Sequence, residues 1–191
     1  MTNSPELYFK TDTDWRSWLH ENHATSKGVY LIFYKVDHKK ESMRWEEAVK
    51  VALCYGWIDA TVKSLGNGKR RQYFTPRNPK SVWSAVNKKH IEELTINSLM
   101  HESGFKTIEI AKDNGSWFAL DDVENGVIPE DLQSAFNKNP NALKNYKNFA
   151  PSYRKGYLYW LNQAKRTATR EKRIIEIIKF CEANIKSRGS W

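Results

Sequence analysis

The stretch "WIDATVKSLGNGKRRQYFTP", residues 57–76, decides the fold. Gly66-Asn67-Gly68 in its middle accepts the positive φ angles of a tight turn, and a run of strand character flanks it on each side. In the first run Trp57, Asp59, Thr61 and Lys63 alternate with Ile58, Ala60 and Val62, so the spacing predicts two faces. "KRRQYFT" is the returning partner. Pro76 and Pro79 end it, because proline cannot donate to a ladder.

Outward from this hairpin the periodicities change. "VYLIFYKV" (29–36) is β-branched, aromatic and apolar on both faces, which predicts a central, covered strand. In "TDTDWRSWLHENH" (11–23) Trp15, Trp18 and Leu19 fall at i, i+3, i+4, with Thr11, Asp12 or Thr13 placed to cap a helix. In "MRWEEAVKVALCYG" (43–56) Trp45, Val49, Ala52 and Leu53 form a second stripe, and Gly56 stops it. Ser81 is predicted to cap a helix from Val82 to Leu94. Short helices are expected near 95–115 and 129–147. Pro151-Ser152 opens a helix with Tyr153, Tyr157, Trp160, Leu161 and Ala164 on one face. Thr167 or Thr169 opens another, striped by Ile174, Ile177, Ile178 and Cys181. The expected class is α+β: a small antiparallel sheet packed by helices over residues 1–120, then a C-terminal helical hairpin module over 121–191.

Aromatic residues make up 13% of the 191 positions, enough to build a core, and this sets the chain apart from disordered sequences. No apolar run approaches the roughly 20 residues of a bilayer crossing. "MTNSPELYFK" lacks the basic-then-apolar order of a secretory leader. Cys54 and Cys181 sit far apart among apolar residues, as buried reduced thiols do. The expectation is a cytoplasmic protein without membrane insertion. The net charge of +9 is uneven: residues 60–91 hold eight Lys or Arg and no acid, and residues 151–191 hold ten against three Glu. Such segments attract phosphates, nucleic acids or acidic partners, or are simply solvated faces.

"FTPRNPKSVWSAVN" (74–87) concentrates polar groups at one corner. Pairing around the turn brings Asp59 near residues 74–76, within a side chain's reach of Arg77. Two readings stand. In one, Arg77 with Arg70 or Arg71, Ser81, Ser84 and the helix amides forms an anion pocket, walled by Trp57 or Trp83, with Asp59 orienting an arginine and Asn87 facing the same way. In the other, Arg77 and Asp59 are an internal ion pair and the tryptophans are core. Tyr34 and Lys35, at the end of the apolar strand, face either a cleft or solvent. Lys165, Arg166, Arg170 and Arg173 form a second basic cluster across two helix ends. His20 and His23 have metal-ligand spacing but no third ligand nearby in sequence, so no metal or cofactor is expected. Phosphate-loop, dinucleotide and nucleophile-elbow patterns are absent from the sequence.

Three separated pieces carry a resemblance: "EEAVKVALCYGWIDATVKSL", "YFTPRNPKSVWSAVN" and "FAPSYRKGYLYWLNQAKRTATREKRI". From residue 12 to residue 183 the chain resembles the bacterial YdeI/OmpD-associated family, some of whose members are labelled bacteriocin-protection proteins. That family tends to carry an acid in the hairpin before the Phe-Thr-Pro-Arg strand, where this chain has "LGNGK". The resemblance implies a stress- or bacteriocin-protection role. Joined to the corner's chemistry, it gives a non-catalytic protein binding a small anion or an acidic partner. Two rivals are an enzyme acting on a small phosphorylated or carboxylated substrate, with Asp59 as its acid or base, and a nucleic-acid-binding accessory domain.

Overall fold

Asn67 and Gly68 adopt φ values of 49° and 69°. Two successive positive angles make the type I′ turn whose twist matches the strands it joins. In the computed structural model, which describes residues 4–187, the chain divides after Phe118 into two units. In chain order the first runs β1 (Glu6–Leu7), α1 (Asp12–Asn22), β2 (Val29–Tyr34), α2 (Trp45–Cys54), β3 (Trp57–Gly66), β4 (Lys69–Pro76), α3 (Ala85–Ile96) and α4 (Glu102–Asp113). The second runs α5 (Asp121–Glu124), α6 (Glu130–Asn137), α7 (Pro140–Asn148), α8 (Pro151–Asn162) and α9 (Thr167–Glu182). The class is α+β.

The sheet order is β1-β2-β4-β3. β2 lies between β1 and β4, as its doubly apolar sequence requires. β1 runs parallel to β2, so the sheet is mixed where an antiparallel one was expected. Two residues of "PELY" carry too little pattern to announce a strand. Asp59 pairs with Phe74, inside the expected window. The ladder then slips between Asp59 and Val62 and again between Ser64 and Gly66. Partners across a ladder share a face. The first slip therefore puts Val62, opposite Gln72, on the face of Asp59 and Phe74, and sends Lys63 to the other face, opposite Arg71. The simple alternation expected for 57–63 fails at that bulge.

α1 begins with a capping box: Thr11 Oγ1 accepts from Asp14 N at 3.2 Å, and Asp14 Oδ2 accepts from Thr11 N at 3.3 Å. Its buried face supplies Trp15 and Leu19. Trp15 packs edge-on to Trp57 and Phe74 and stacks on Trp18. Each large side chain so buried contributes roughly 2–3 kcal/mol of transfer free energy. The polar edges are satisfied too. Trp15 Nε1 donates to Ala48 O at 3.1 Å and Trp57 Nε1 to His23 O at 3.1 Å. α2 buries Val49, Ala52 and Leu53, but Trp45, expected on the same stripe, is 43% exposed. Gly104 of α4 lies against the Cys54 carbonyl at the end of α2, where a Cβ would come within 2.3 Å.

In the second unit α9 packs against α6, α7 and α8 around Leu132, Phe136, Tyr146, Tyr157, Leu161, Ile177 and Cys181. Pro151 occupies the first turn of α8, where its missing N–H costs nothing. Tyr157 and Trp160 are buried as expected, whereas Tyr153 is exposed. Cys54 and Cys181 are free and buried. No helix among the described residues is long and apolar enough to cross a membrane.

Candidate functional site

The Pro-Arg corner is built around a stack. The Arg77 guanidinium carbon lies 3.7 Å from the centre of the Trp83 ring, and Nη2 donates to Val82 O at 2.5 Å. Arg77 is 8% exposed, and its Nε and Nη1 have no hydrogen-bond partner in the structure. Burial pushes its pKa down to about 10, opposed by the charge of Asp59. Asp59 does not ion-pair with it. The Asp59 carboxylate accepts instead from Trp45 Nε1 at 3.0 Å and Gln72 Nε2 at 2.5 Å.

The remaining predicted corner residues divide. Ser84, not Ser81, caps α3, accepting from the Asn87 amide at 3.3 Å. Ser81 closes a turn on Asn78 O through both its amide and its hydroxyl. The helix starts late because Arg77 holds Val82 O and Trp83 is buried while the chain is still extended. Arg71 leaves the corner altogether. The two-residue period of β4 turns it to the opposite face from Gln72 and Phe74. There it pairs with Glu6 at 2.5 Å and covers the Tyr30 ring at 4.4 Å.

A groove of about 810 Å³ opens elsewhere in the same unit. One wall is the end of β2 with the segment after it, Phe33 to Asp37. A second is the start of α2, Met43 to Trp45, and the third is the tip of the β3–β4 hairpin. Lys35, Arg44, Lys69 and Arg70 line it, against one carboxylate, Asp37. Among the described residues none of these four cations forms an ion pair. Arg70 lies 5.5 Å over the Phe33 ring, and Lys35 N donates to Gly68 O at 2.9 Å, tying the segment after β2 to the turn. Phe33, Met43 and Val62 add apolar surface. Val62 reaches the groove because of the bulge that re-aims it. Unneutralised cations around an apolar recess of this size suit an organic anion.

Sequence spacing missed this site because its four cations come from three separate places, residue 35, residue 44 and residues 69–70. The visible signals were Lys35 at the end of an apolar strand and the Lys69-Arg70 pair just past the turn.

In the second unit the basic cluster is partly engaged. Arg170 donates to both Asp131 oxygens, Nε at 2.5 Å and Nη2 at 3.0 Å. Arg173 Nη1 donates to Trp160 O at 2.5 Å. Lys165 and Arg166 are exposed, so the four do not form one free patch. On α1, His20 and His23 gain a third neighbour that the sequence did not announce: His101, with ring centres 5.9 and 4.8 Å away. His101 stacks on Tyr55 and caps α4. Among the described residues no three His, Cys, Asp or Glu side chains are arranged to hold a metal ion.

Two family models match the chain. Residues 7–107 match one described as Domain of unknown function (DUF8412). Residues 125–184 match one described as Bacteriocin-protection, YdeI or OmpD-Associated. The resemblance drawn over residues 12–183 therefore holds for the C-terminal segment, and the hairpin and Pro-Arg motifs lie in the segment that the first model matches. No curated protein and no solved structure matches.

Proposed function

We propose, for a chain that belongs to the DUF8412 family through residues 7–107 and carries a bacteriocin-protection, YdeI or OmpD-associated segment at 125–184, that it is a non-catalytic protein that binds an anion, or the acidic surface of a partner, in the groove at the hairpin tip. One observation carries the reading: Lys35, Arg44, Lys69 and Arg70 surround a single recess with one acid among its lining residues. Positive charges brought together without carboxylate partners repel one another, and a bound anion relieves that repulsion. Asp59, the acid an enzyme reading would use, is occupied in holding Trp45 and Gln72. The C-terminal match supports a protective task, and two buried free thiols are in keeping with the reducing cytoplasm.

The test is calorimetric titration with pyrophosphate, citrate and a poly-glutamate peptide at low and moderate salt. Binding of at least one, weakened by Arg70→Ala and Lys35→Ala and unaffected by Lys165→Ala in the other unit, is expected. No binding by any of the three at low salt rejects the groove as an anion site.

A further inference from the structure

We infer that the groove reads a planar aromatic ring together with negative charge, the chemistry of a nucleoside phosphate. This inference rests on the anion reading above and narrows it. Its starting point is Trp45. An indole at the first position of a helix, 43% exposed, is ordinarily free to change rotamer. Here its Nε1–H is fixed to Asp59 Oδ2 at 3.0 Å, and the same oxygen accepts from Gln72 Nε2 at 2.5 Å. Gln72 is itself buried in β4. A surface ring is thus anchored from behind through a carboxylate to the sheet. Such anchoring removes rotamer entropy before any ligand arrives, which is the physical content of preorganisation.

The groove presents two kinds of surface. Trp45, Phe33, Met43 and Val62 are apolar or aromatic, and Lys35, Arg44, Lys69 and Arg70 are cationic. Inorganic anions use the second set alone, and apolar ligands the first. A ring joined to two or more negative charges engages both, and about 810 Å³ accommodates a mononucleotide. A cationic ring ligand also stacks on tryptophan, but four lining cations against one acid disfavour it. Asp59 is a positioning residue here, acting through Trp45.

The test compares ADP, pyrophosphate, adenosine and indole-3-acetate by calorimetry on the full chain at matched ionic strength. ADP is expected to bind at least about tenfold more tightly than pyrophosphate, the margin base stacking on an aromatic residue provides. Trp45→Ala should erase that margin and leave pyrophosphate binding intact, which also shows that the variant is folded. Arg70→Ala should weaken both ligands. Asp59→Asn should reduce the ADP margin alone. Equal affinity for ADP and pyrophosphate overturns the ring inference and leaves the anion reading standing. Tighter binding of indole-3-acetate than of ADP overturns the nucleoside-phosphate class. Parallel loss of both ligands in Trp45→Ala overturns the role of its ring. If pyrophosphate, ADP and indole-3-acetate all fail to bind, this inference and the anion reading fall together.

Discussion

Arg77 rests its guanidinium on the face of Trp83, 3.7 Å from the ring centre, and donates a hydrogen bond to the carbonyl one residue earlier, Val82 O. The arginine thereby fixes the extended passage between β4 and α3. Arg77→Ala removes the stack and leaves a cavity beside a large ring, and should cost about 2–4 kcal/mol. Arg77→Met keeps the volume and removes a buried charge with two unpartnered nitrogens. It should fall within about 1 kcal/mol of the parent. Urea denaturation measures both. Equal losses in the two variants would mean that the guanidinium donors are satisfied and that the charge itself is stabilising.

Gly104 permits α4 to touch the end of α2. A Cβ there meets the Cys54 carbonyl oxygen at 2.3 Å, and backbone has nowhere to rotate away. Gly104→Ala should destabilise by about 1–3 kcal/mol or more through forced separation of the helices. Gly115, with φ of 80° and nothing within 4 Å of its would-be Cβ, is the comparison. Gly115→Ala should cost only the roughly 1–2 kcal/mol of a left-handed backbone. A Gly104→Ala protein that melts with the parent would contradict the packing.

Acid should loosen the first unit through His101. Burial lowers the pKa of its imidazole below the usual 6.5, and the nearby His23 and His20 lower it further. The folded chain therefore binds fewer protons at this ring than the unfolded chain does. Stability is full above pH 6.5 and declines as pH falls through that value toward the lowered folded pKa. His101→Asn keeps a capping side chain for α4 and removes the titration. Its melting temperature should vary less between pH 7 and pH 5 than the parent's, as read by calorimetry; an identical slope would point to other groups.

Asp131 works in the opposite sense in the second unit. The Arg170 hydrogen bond holds its carboxyl below the usual 3.8. That contribution is present above pH 3.8 and lost as pH falls through the folded value. Both side chains are partly exposed, so a double-mutant cycle on Asp131→Ala and Arg170→Ala should return a coupling of about 0.5–1 kcal/mol, falling with salt. A coupling of zero would mean that the pair carries no energetic weight.

The hairpin was legible because a two-residue Asn-Gly turn fixes register locally, which is why the sequence puts Asp59 near residues 74–76; the slips in the ladder then set it opposite Phe74. The α3 cap was not. Ser81 and Ser84 have the same local propensity, and only the burial of Trp83 and the engagement of Val82 O decide between them. Arg71 was assigned to the corner by proximity in sequence, and the strand's period of two sent it to the opposite face. Trp45 fits a helical stripe by spacing, yet it lies at the first turn, beyond the end of the core. The bulge after Asp59 has no clear sequence mark, and it carries Val62 into the groove. Long-range packing therefore settled what periodicity left open.

β3 is the last strand of the sheet, and its outer half, residues 60–66, is exposed. An open row of amides and carbonyls invites a second chain to add itself as the next strand and so begin a fibre. Two slips in the ladder within eight residues, with Lys63 between them, break the straight run that such stacking needs. Straightening that margin, by deleting a bulged residue and exchanging Lys63 for Val, should therefore be read in turbidity: the same irregularity that shapes a binding recess also keeps the molecules apart.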